Sequence, residues 1–260
     1  MQLTFLGTGA AFTVADGNFQ SNMFVEASPI PDDPVNRRGL LLDCGSDIRW
    51  SMKAQGLDHT NVDALYISHL HADHVGGLEW LAFRRYFDPD CAPPDLFIHE
   101  SLVDELWTHC LQAGLEGLKF GKADLETYFT LHSLPSGGTF QWQGLACRLV
   151  RLPHFICGDQ QSHSYGLMMA INNRRTLLTT DSMFHPETLA PFYEEADVIL
   201  QDCETLVNCE SGAHAHYHRL LTLPEVWRER MWLYHYNDGG LPGADGFKGF
   251  AQPGQVISLA

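Results

Sequence analysis

The sequence predicts an α+β chain in which two β-sheets pack face to face with helices on the outside. Three observations predict it. Strand-like and helix-like patterns come in blocks: a strand-rich half, a loop crowded with histidine, helices, a second strand-rich half, and helices again. The run Ser68-His69-Leu70-His71-Ala72-Asp73-His74 puts four candidate metal ligands into six positions, directly after the apolar stretch Ala64-Leu65-Tyr66-Ile67. Residues 167–171 and 176–180 flank Asn172-Asn173-Arg174-Arg175, the clearest hairpin in the chain.

Residues 3–6 read as a first strand, broken at once by Gly7-Thr8-Gly9-Ala10-Ala11. No Gly-Lys-Ser/Thr follows, so this is no phosphate loop; it is either a tight turn or a close backbone approach to a cavity. Residues 21–27 and 38–45 look like two strands joined by the turn-rich Ser28-Pro29-Ile30-Pro31-Asp32-Asp33-Pro34. Asp43 ends the second strand, where it can hold a ligating histidine as an acceptor or cap a short helix over 48–56. Residues 62–68 lead into the histidine loop, and Gly76-Gly77 permits a sharp turn before an amphipathic helix over 78–87. Residues 96–99 are strand-like, and Ser101 can cap a helix from Leu102 toward Leu111. Residues 128–134, 139–142 and 145–152 form a further strand-rich block. After the hairpin come a short helix over 189–195 and a strand over 198–204 with an acidic end. A helical stretch over 220–230 follows, with Pro224 in the first turn after a break. Residues 231–234 present His235, and 256–259 form the last strand.

Composition narrows the function classes. At 260 residues, a single domain over 1–260 with one substantial core is expected. The apolar runs are far short of a membrane span. The N-terminus has no basic flank and does not read as a signal peptide. Seven cysteines without a regular pattern read as reduced thiols of a cytoplasmic protein. The formal net charge is −16, with 32 acids against 16 bases. Binders of long polyanions usually show a basic surface, so the balance favours a small substrate over a long nucleic acid. The plainer reading of the same acidity is solubility.

A strand alternates its side chains, so His69 and His71 point the same way while Asp73 and His74, on the turn beyond, reach a second point. Isolated histidines are usually surface or core residues. Four nitrogen and oxygen ligands at this spacing call for a metal. His154, Asp181 and His235 each end a predicted strand downstream, where α/β sandwiches gather functional groups.

With His69-Leu70-His71-Ala72-Asp73-His74, then His154, Asp181 and His235 in that order, the chain resembles the metallo-β-lactamase-fold hydrolases over residues 3–259. The resemblance implies a four-layer αβ/βα sandwich and two divalent ions. One is held by His69, His71 and His154, the other by Asp73, His74 and His235, with Asp181 bridging. Zinc is the first expectation, because imidazole and carboxylate suit it; manganese and iron are compatible with the same ligands. The Phe5-Leu6-Gly7-Thr8-Gly9 opening is similar to that of the branch containing tRNA 3′-processing nucleases and related phosphodiesterases. The implied reaction is in-line attack on phosphorus by a hydroxide shared between ions about 3.5–4 Å apart, with Asp73 binding metal and orienting the nucleophile. The related nucleases carry a histidine before the last ligand, and Gly212-Ala213-His214-Ala215-His216-Tyr217-His218 supplies candidates. His216 is the first choice as phosphate clamp and acid, with His214 supporting it. Both can face the cleft, and His214 or His218 can instead cap a helix beginning near Arg219. Ser21 and Asn22 are candidates for substrate contact or for a polar turn. His163 and Tyr165 are candidates for stacking a base or for closing a strand edge.

Within the resemblance, a phosphodiester competes with carbonyl esters such as lactones and thioesters. The Phe5–Gly9 opening, the Asp73-His74 pair and the extra histidines before His235 favour the phosphodiester. The tRNA-processing enzymes commonly carry a long basic arm, in one type between the third metal histidine and the bridging Asp. Here only a short hairpin separates His154 from Asp181, and Leu177 replaces the acidic residue usual four positions before that Asp. The expectation is a small phosphodiester, above all a cyclic nucleotide, with tRNA 3′ processing and carbonyl-ester hydrolysis as alternatives. Small members often complete their pocket with a partner's loop. A homodimer is therefore expected, with residues 29–34 and 91–95 as candidate contacts.

Overall fold

In the computed structural model, which describes residues 1–27, 37–119 and 121–260, the strands fall into the two predicted blocks. The first block holds Gln2–Phe5 (β1), Met23–Glu26 (β2), Gly39–Leu42 (β3), Val62–Ile67 (β4) and Asp95–His99 (β5). A small ribbon of Gly117–Leu118 (β6) and Gly121–Lys122 (β7) precedes Thr130–Leu134 (β8). The second block holds Thr139–Trp142 (β9), Leu145–Cys157 (β10), Gln160–Ile171 (β11), Arg174–Leu178 (β12), Val198–Asp202 (β13), Met231–Tyr234 (β14) and Gly249–Phe250 (β15). Val256–Ser258 (β16) returns to the first sheet and pairs antiparallel with β1. The loop expected over 28–34 lies outside the described residues.

The sheet orders among the described residues are β16-β1-β2-β3-β4-β5-β8 and β15-β14-β13-β12-β11-β10-β9. Each sheet has an antiparallel half and a parallel half. In the first, β3, β4, β5 and β8 run parallel; in the second, β12 to β15 do. Parallel strands need crossovers, and helices supply them on the outer faces. Helices Ile48–Ala54 and Leu78–Tyr86 serve the first sheet, and Pro186–Glu195, Tyr217–Leu220 and Glu225–Arg228 the second.

Side-chain alternation shows which face each sheet turns inward. On β13, Val198 and Leu200 join the core shared by both sheets, while Ile199 packs outward with Leu189 and Leu220 of the helices. Leu177 and Leu178 on β12 divide the same way. Across the interface Phe140 stacks on Phe97 at 4.1 Å, Phe5 meets Tyr234 at 6.0 Å, and the Tyr66 hydroxyl donates to the Tyr165 carbonyl at 2.6 Å. This is the αβ/βα sandwich of the metallo-β-lactamase fold. No helix among the described residues is long and apolar enough to cross a membrane.

Several elements differ from their sequence-based expectation, each for a physical reason. The hairpin turn is tighter: Ile171 pairs with Arg174, leaving only Asn172 and Asn173, both at positive φ (50° and 65°), as the two-residue loop suits. The helix expected from Leu102 starts at Glu100. Its cap is the His99 side chain, which accepts from Ser101 N, so Ser101 is not the cap. The helix continues as a wider π turn over Leu106–Leu111. The stretch over 220–230 is two short helices, because Pro224 stands just before the second and cannot extend the first. Helix Pro186–Glu195 starts earlier than expected, with proline in its first turn. Finally, β10 does not stop at Leu152. It runs on through Pro153 and His154 with a register shift between Pro153 and Ile156.

Candidate metal centre

The parallel halves of both sheets point their carboxyl ends at one place. Asp43 follows β3, Ser68 and His69 follow β4, Asp181 lies just beyond β12, Asp202 ends β13, and His235 follows β14. Ligand sites in open α/β sheets form outside these strand ends. Three of the exits use left-handed backbone on non-glycine residues: Asp43 (φ 61°), Thr180 (φ 51°) and His235 (φ 62°). Such backbone is uncommon away from glycine, and it turns the chain sharply out of the sheet. After β4 the chain enters a one-turn helix, Ala72–Val75, which carries Asp73 and His74.

The strand ends bring together every ligand candidate named from the sequence. His69, His71, His154 and Asp181 form one group, and Asp73, His74, Asp181 and His235 a second. Asp181 belongs to both. In the first group, His71 Nδ1 lies 3.1 Å from His69 Nε2 and 3.0 Å from His154 Nε2. Asp181 Oδ2 is 3.6 Å from His69 Nε2 and 3.9 Å from His154 Nε2. In the second, His74 Nε2 lies 3.1 Å from Asp73 Oδ2 and 3.2 Å from Asp181 Oδ2. His235 Nε2 is 3.3 Å from Asp73 Oδ2 and 3.5 Å from Asp181 Oδ1. Ligands 2.0–2.1 Å from a tetrahedral ion stand about 3.3 Å apart, so these spacings fit an ion at the middle of each group. His74 Nε2 and Asp181 Oδ1 are also buried without a hydrogen-bond partner, an arrangement expected of atoms aimed at a shared cation. The donor set therefore fits a divalent pair bridged by Asp181.

Neighbouring groups fix which nitrogen each ring presents. His74 Nδ1 donates to Asp43 Oδ2 at 2.7 Å, which resolves the two readings of Asp43 in favour of the acceptor. His154 Nδ1 donates to the Ala213 carbonyl at 3.1 Å. His71 is exposed, and its ring stacks against Phe155 at 5.3 Å.

Charge differs between the two groups. Burial pushes His69 well below the usual imidazole range and His154 down to about 4, leaving both neutral, the form that binds metal. Burial acts the same way on His74 and His235, but Asp181 and Asp73 outweigh it and hold both above their ordinary value. Burial raises the Asp73 and Asp181 carboxyls, and the neighbouring histidines outweigh it: His74 first for Asp73, His235 first for Asp181. Both remain carboxylates.

The histidine run resolves differently from its expectation. His214 faces the centre and His216 does not. His214 Nδ1 lies 3.0 Å from Asp202 Oδ2, and its ring stacks on His235 at 4.6 Å. His216 is turned away because both its nitrogens serve backbone. Nε2 donates to the Leu206 carbonyl at 2.8 Å, and Nδ1 accepts from His218 N at the head of helix Tyr217–Leu220. Burial lowers the His214 pKa, but Asp202 and Asp181 overcome it and raise it to about 10.

Asp202 is the site residue that sequence reasoning missed. Its Oδ2 holds His214 and accepts from Ser182 N at 2.9 Å, and its Oδ1 lies 3.5 Å from His235 Nδ1. A signal existed, since Asp202 ends an apolar strand just as Asp43 and Asp181 follow theirs. The minor candidates fall away from the centre. Ser21 is buried against the Gly9 carbonyl, and the Asn22 side chain bridges Gln20 and Gly45 backbone. Tyr165 is buried and stacks on His99 at 3.8 Å, and His163 pairs with Arg151. The Gly7–Gly9 turn packs on Phe19 and Gln20 backbone rather than on the ligands. A separate trio, His59, Asp88 and Cys91, has ligand-like spacing. There His59 bonds Asp88 at 2.8 Å with Arg84 beside the ring, a hydrogen-bonded knot between these side chains.

Fold and site together define a member of the metallo-β-lactamase superfamily with a His/Asp centre built for two bridged divalent ions. A family profile described as "Anti-Pycsar protein Apyc1" matches residues 1–257, and the chain belongs to that family. It is 33% identical over 241 residues to the Anti-Pycsar protein Apyc1 of Paenibacillus xerothermodurans, covering 92% of this chain and 88% of that one. Among solved structures it is similar to the metallo-β-lactamase fold protein YhfI from Bacillus subtilis (TM-score 0.72, 17% identity, 98% of each chain). It is also similar to human tRNase Z, short form (TM-score 0.71, 19% identity, 100% of each chain).

Proposed function

We propose that this protein is a dinuclear-metal phosphodiesterase that hydrolyses a cyclic nucleotide. The observation that carries the reading is Asp181 shared between two ligand groups, with His214 held against Asp202 beside them. A divalent pair bound there would lower the pKa of a bound water toward neutrality and offset phosphate charge. His69, His71 and His154 would hold one ion, Asp73, His74 and His235 the other, and Asp181 both. Asp73 also orients the attacking water through a carboxylate oxygen. His214, clamped by Asp202, holds the phosphate and delivers a proton to the leaving oxygen. Zinc suits these donors best.

The strongly acidic chain and the short link between β10 and β12 support a small substrate over tRNA. Free cysteines throughout support a cytoplasmic setting. A homodimer is supported by exposed Trp50, Tyr86 and Phe87 on neighbouring helices, beside a groove of about 720 Å³ lined by Trp80 and Phe83. The pairing of β16 with β1 supports one domain over 1–260.

The test is hydrolysis of cyclic mononucleotides by zinc-reconstituted protein, with a tRNA precursor in parallel and His69→Ala as control. Turnover of a cyclic mononucleotide, lost in the variant, is expected. Cleavage of the tRNA precursor alone would overturn the reading.

A further inference from the structure

We propose that Ser68 is the positioning residue that fixes the His69 tautomer for the first ion position through Asp43, the carboxylate that fixes His74 for the second, resting on the assignment of the ligands to a metal pair. Ser68 is buried and belongs to neither ligand group. Its hydroxyl has one proton and two lone pairs, and all three are committed. It donates to Asp43 Oδ2 at 2.7 Å and accepts from Thr180 Oγ1 at 2.9 Å. The remaining lone pair faces His69 Nδ1 at 3.1 Å. With its proton on Asp43, the hydroxyl can only accept from His69, so Nδ1 carries the hydrogen and Nε2 is left bare toward the first group.

The same Asp43 oxygen accepts His74 Nδ1, which turns His74 Nε2 toward the second group. One carboxylate oxygen and one hydroxyl thus set the tautomers of a histidine in each group. The backbone holds this junction from both sheets. Asp43 also accepts Ser68 N at 2.8 Å, and Asp43 and Thr180 adopt left-handed φ at the ends of β3 and β12. Thr180 directly precedes Asp181, the carboxylate common to both groups. Removing the Ser68 hydroxyl leaves His69 free to present the wrong nitrogen, while His74 keeps its direct bond to Asp43. Removing the Asp43 charge disturbs both histidines.

The test is metal titration of metal-free protein, read as Co²⁺ absorption and as zinc retained after desalting. Wild type, Ser68→Ala, Ser68→Thr and Asp43→Asn are compared, with the melting temperature of each metal-free protein as the folding control. Wild type is expected to bind two equivalents. Ser68→Ala is expected to keep one and bind the other about 10–100-fold more weakly, the usual effect of losing such a partner. Ser68→Thr, which keeps the hydroxyl, is expected to restore it, and Asp43→Asn to weaken both. Two wild-type affinities in Ser68→Ala, no rescue by threonine, or an Asp43→Asn effect confined to one equivalent would each overturn the proposal. Failure of wild type to bind any ion would instead defeat the metal assignment beneath it.

Discussion

At His214 two opposing effects meet. Burial disfavours the charged ring, while Asp202 at 3.0 Å and Asp181 at 4.0 Å favour it, and the carboxylates prevail. Two positions on, His216 spends both nitrogens on backbone and has none for a substrate. The two residues therefore predict opposite phenotypes. His214→Gln should lower kcat by about 10²–10⁴-fold with metal content unchanged, the range of a lost general acid. His216→Gln should cost about 1 kcal/mol of stability through the lost cap and leave kcat close to wild type. Steady-state hydrolysis, metal analysis and denaturant unfolding on both variants decide between them. Sequence reasoning could see that two alternating histidines were present. It could not see that the Leu206 carbonyl, ten residues back in the loop, and the His218 backbone N–H, two residues on, would claim both nitrogens of His216, because that depends on how the loop folds back.

At the scale of elements, the centre depends on how closely the helix Ala72–Val75 lies against the turn after β3. Cys44 N donates to the His74 carbonyl at 2.7 Å and Gly77 N to the Cys44 carbonyl at 2.9 Å. A Cβ at Gly45 would press into the Asp73 carbonyl, which is backbone and cannot swing away. Gly45→Ala should displace Asp73 and His74 and weaken metal binding at the second group at least 10-fold, with the first group less affected. Competition against a chromophoric chelator measures this. The ligand-bearing strand ends were legible because apolar runs stop abruptly at His69, Asp181 and His235. His154 was legible as a ligand candidate but not in its setting, since Pro153 reads as a strand end and here lies inside a long strand at a register shift. The π turn over Leu106–Leu111 had no signature in residue pattern at all.

For the whole molecule, each ligand group draws on both sheets. His69 and His71 from the first meet His154 and Asp181 from the second; Asp73 and His74 from the first meet Asp181 and His235 from the second. Chelation should therefore loosen the docking of one sheet on the other as well as abolish activity. A drop in melting temperature, restored by added zinc, is expected. At free metal 1,000-fold above Kd, each site contributes about 4 kcal/mol. Because Asp181 and Asp73 hold His74 and His235 above their ordinary pKa, ion binding has to displace their protons. Metal uptake should thus release protons and weaken as pH falls, which titration in buffers of differing ionisation enthalpy measures.

The division of ligands between the two halves also orders events during synthesis. When β1 to β5 and β8 have formed, the chain carries two pairs of ligands that face no partner, and neither pair can complete a four-coordinate site. Asp181 and then His235 arrive only with the second sheet. The first group is complete once Asp181 follows β12, the second only when His235 follows β14, so a chain interrupted before β14 would hold one finished ligand group and not the pair.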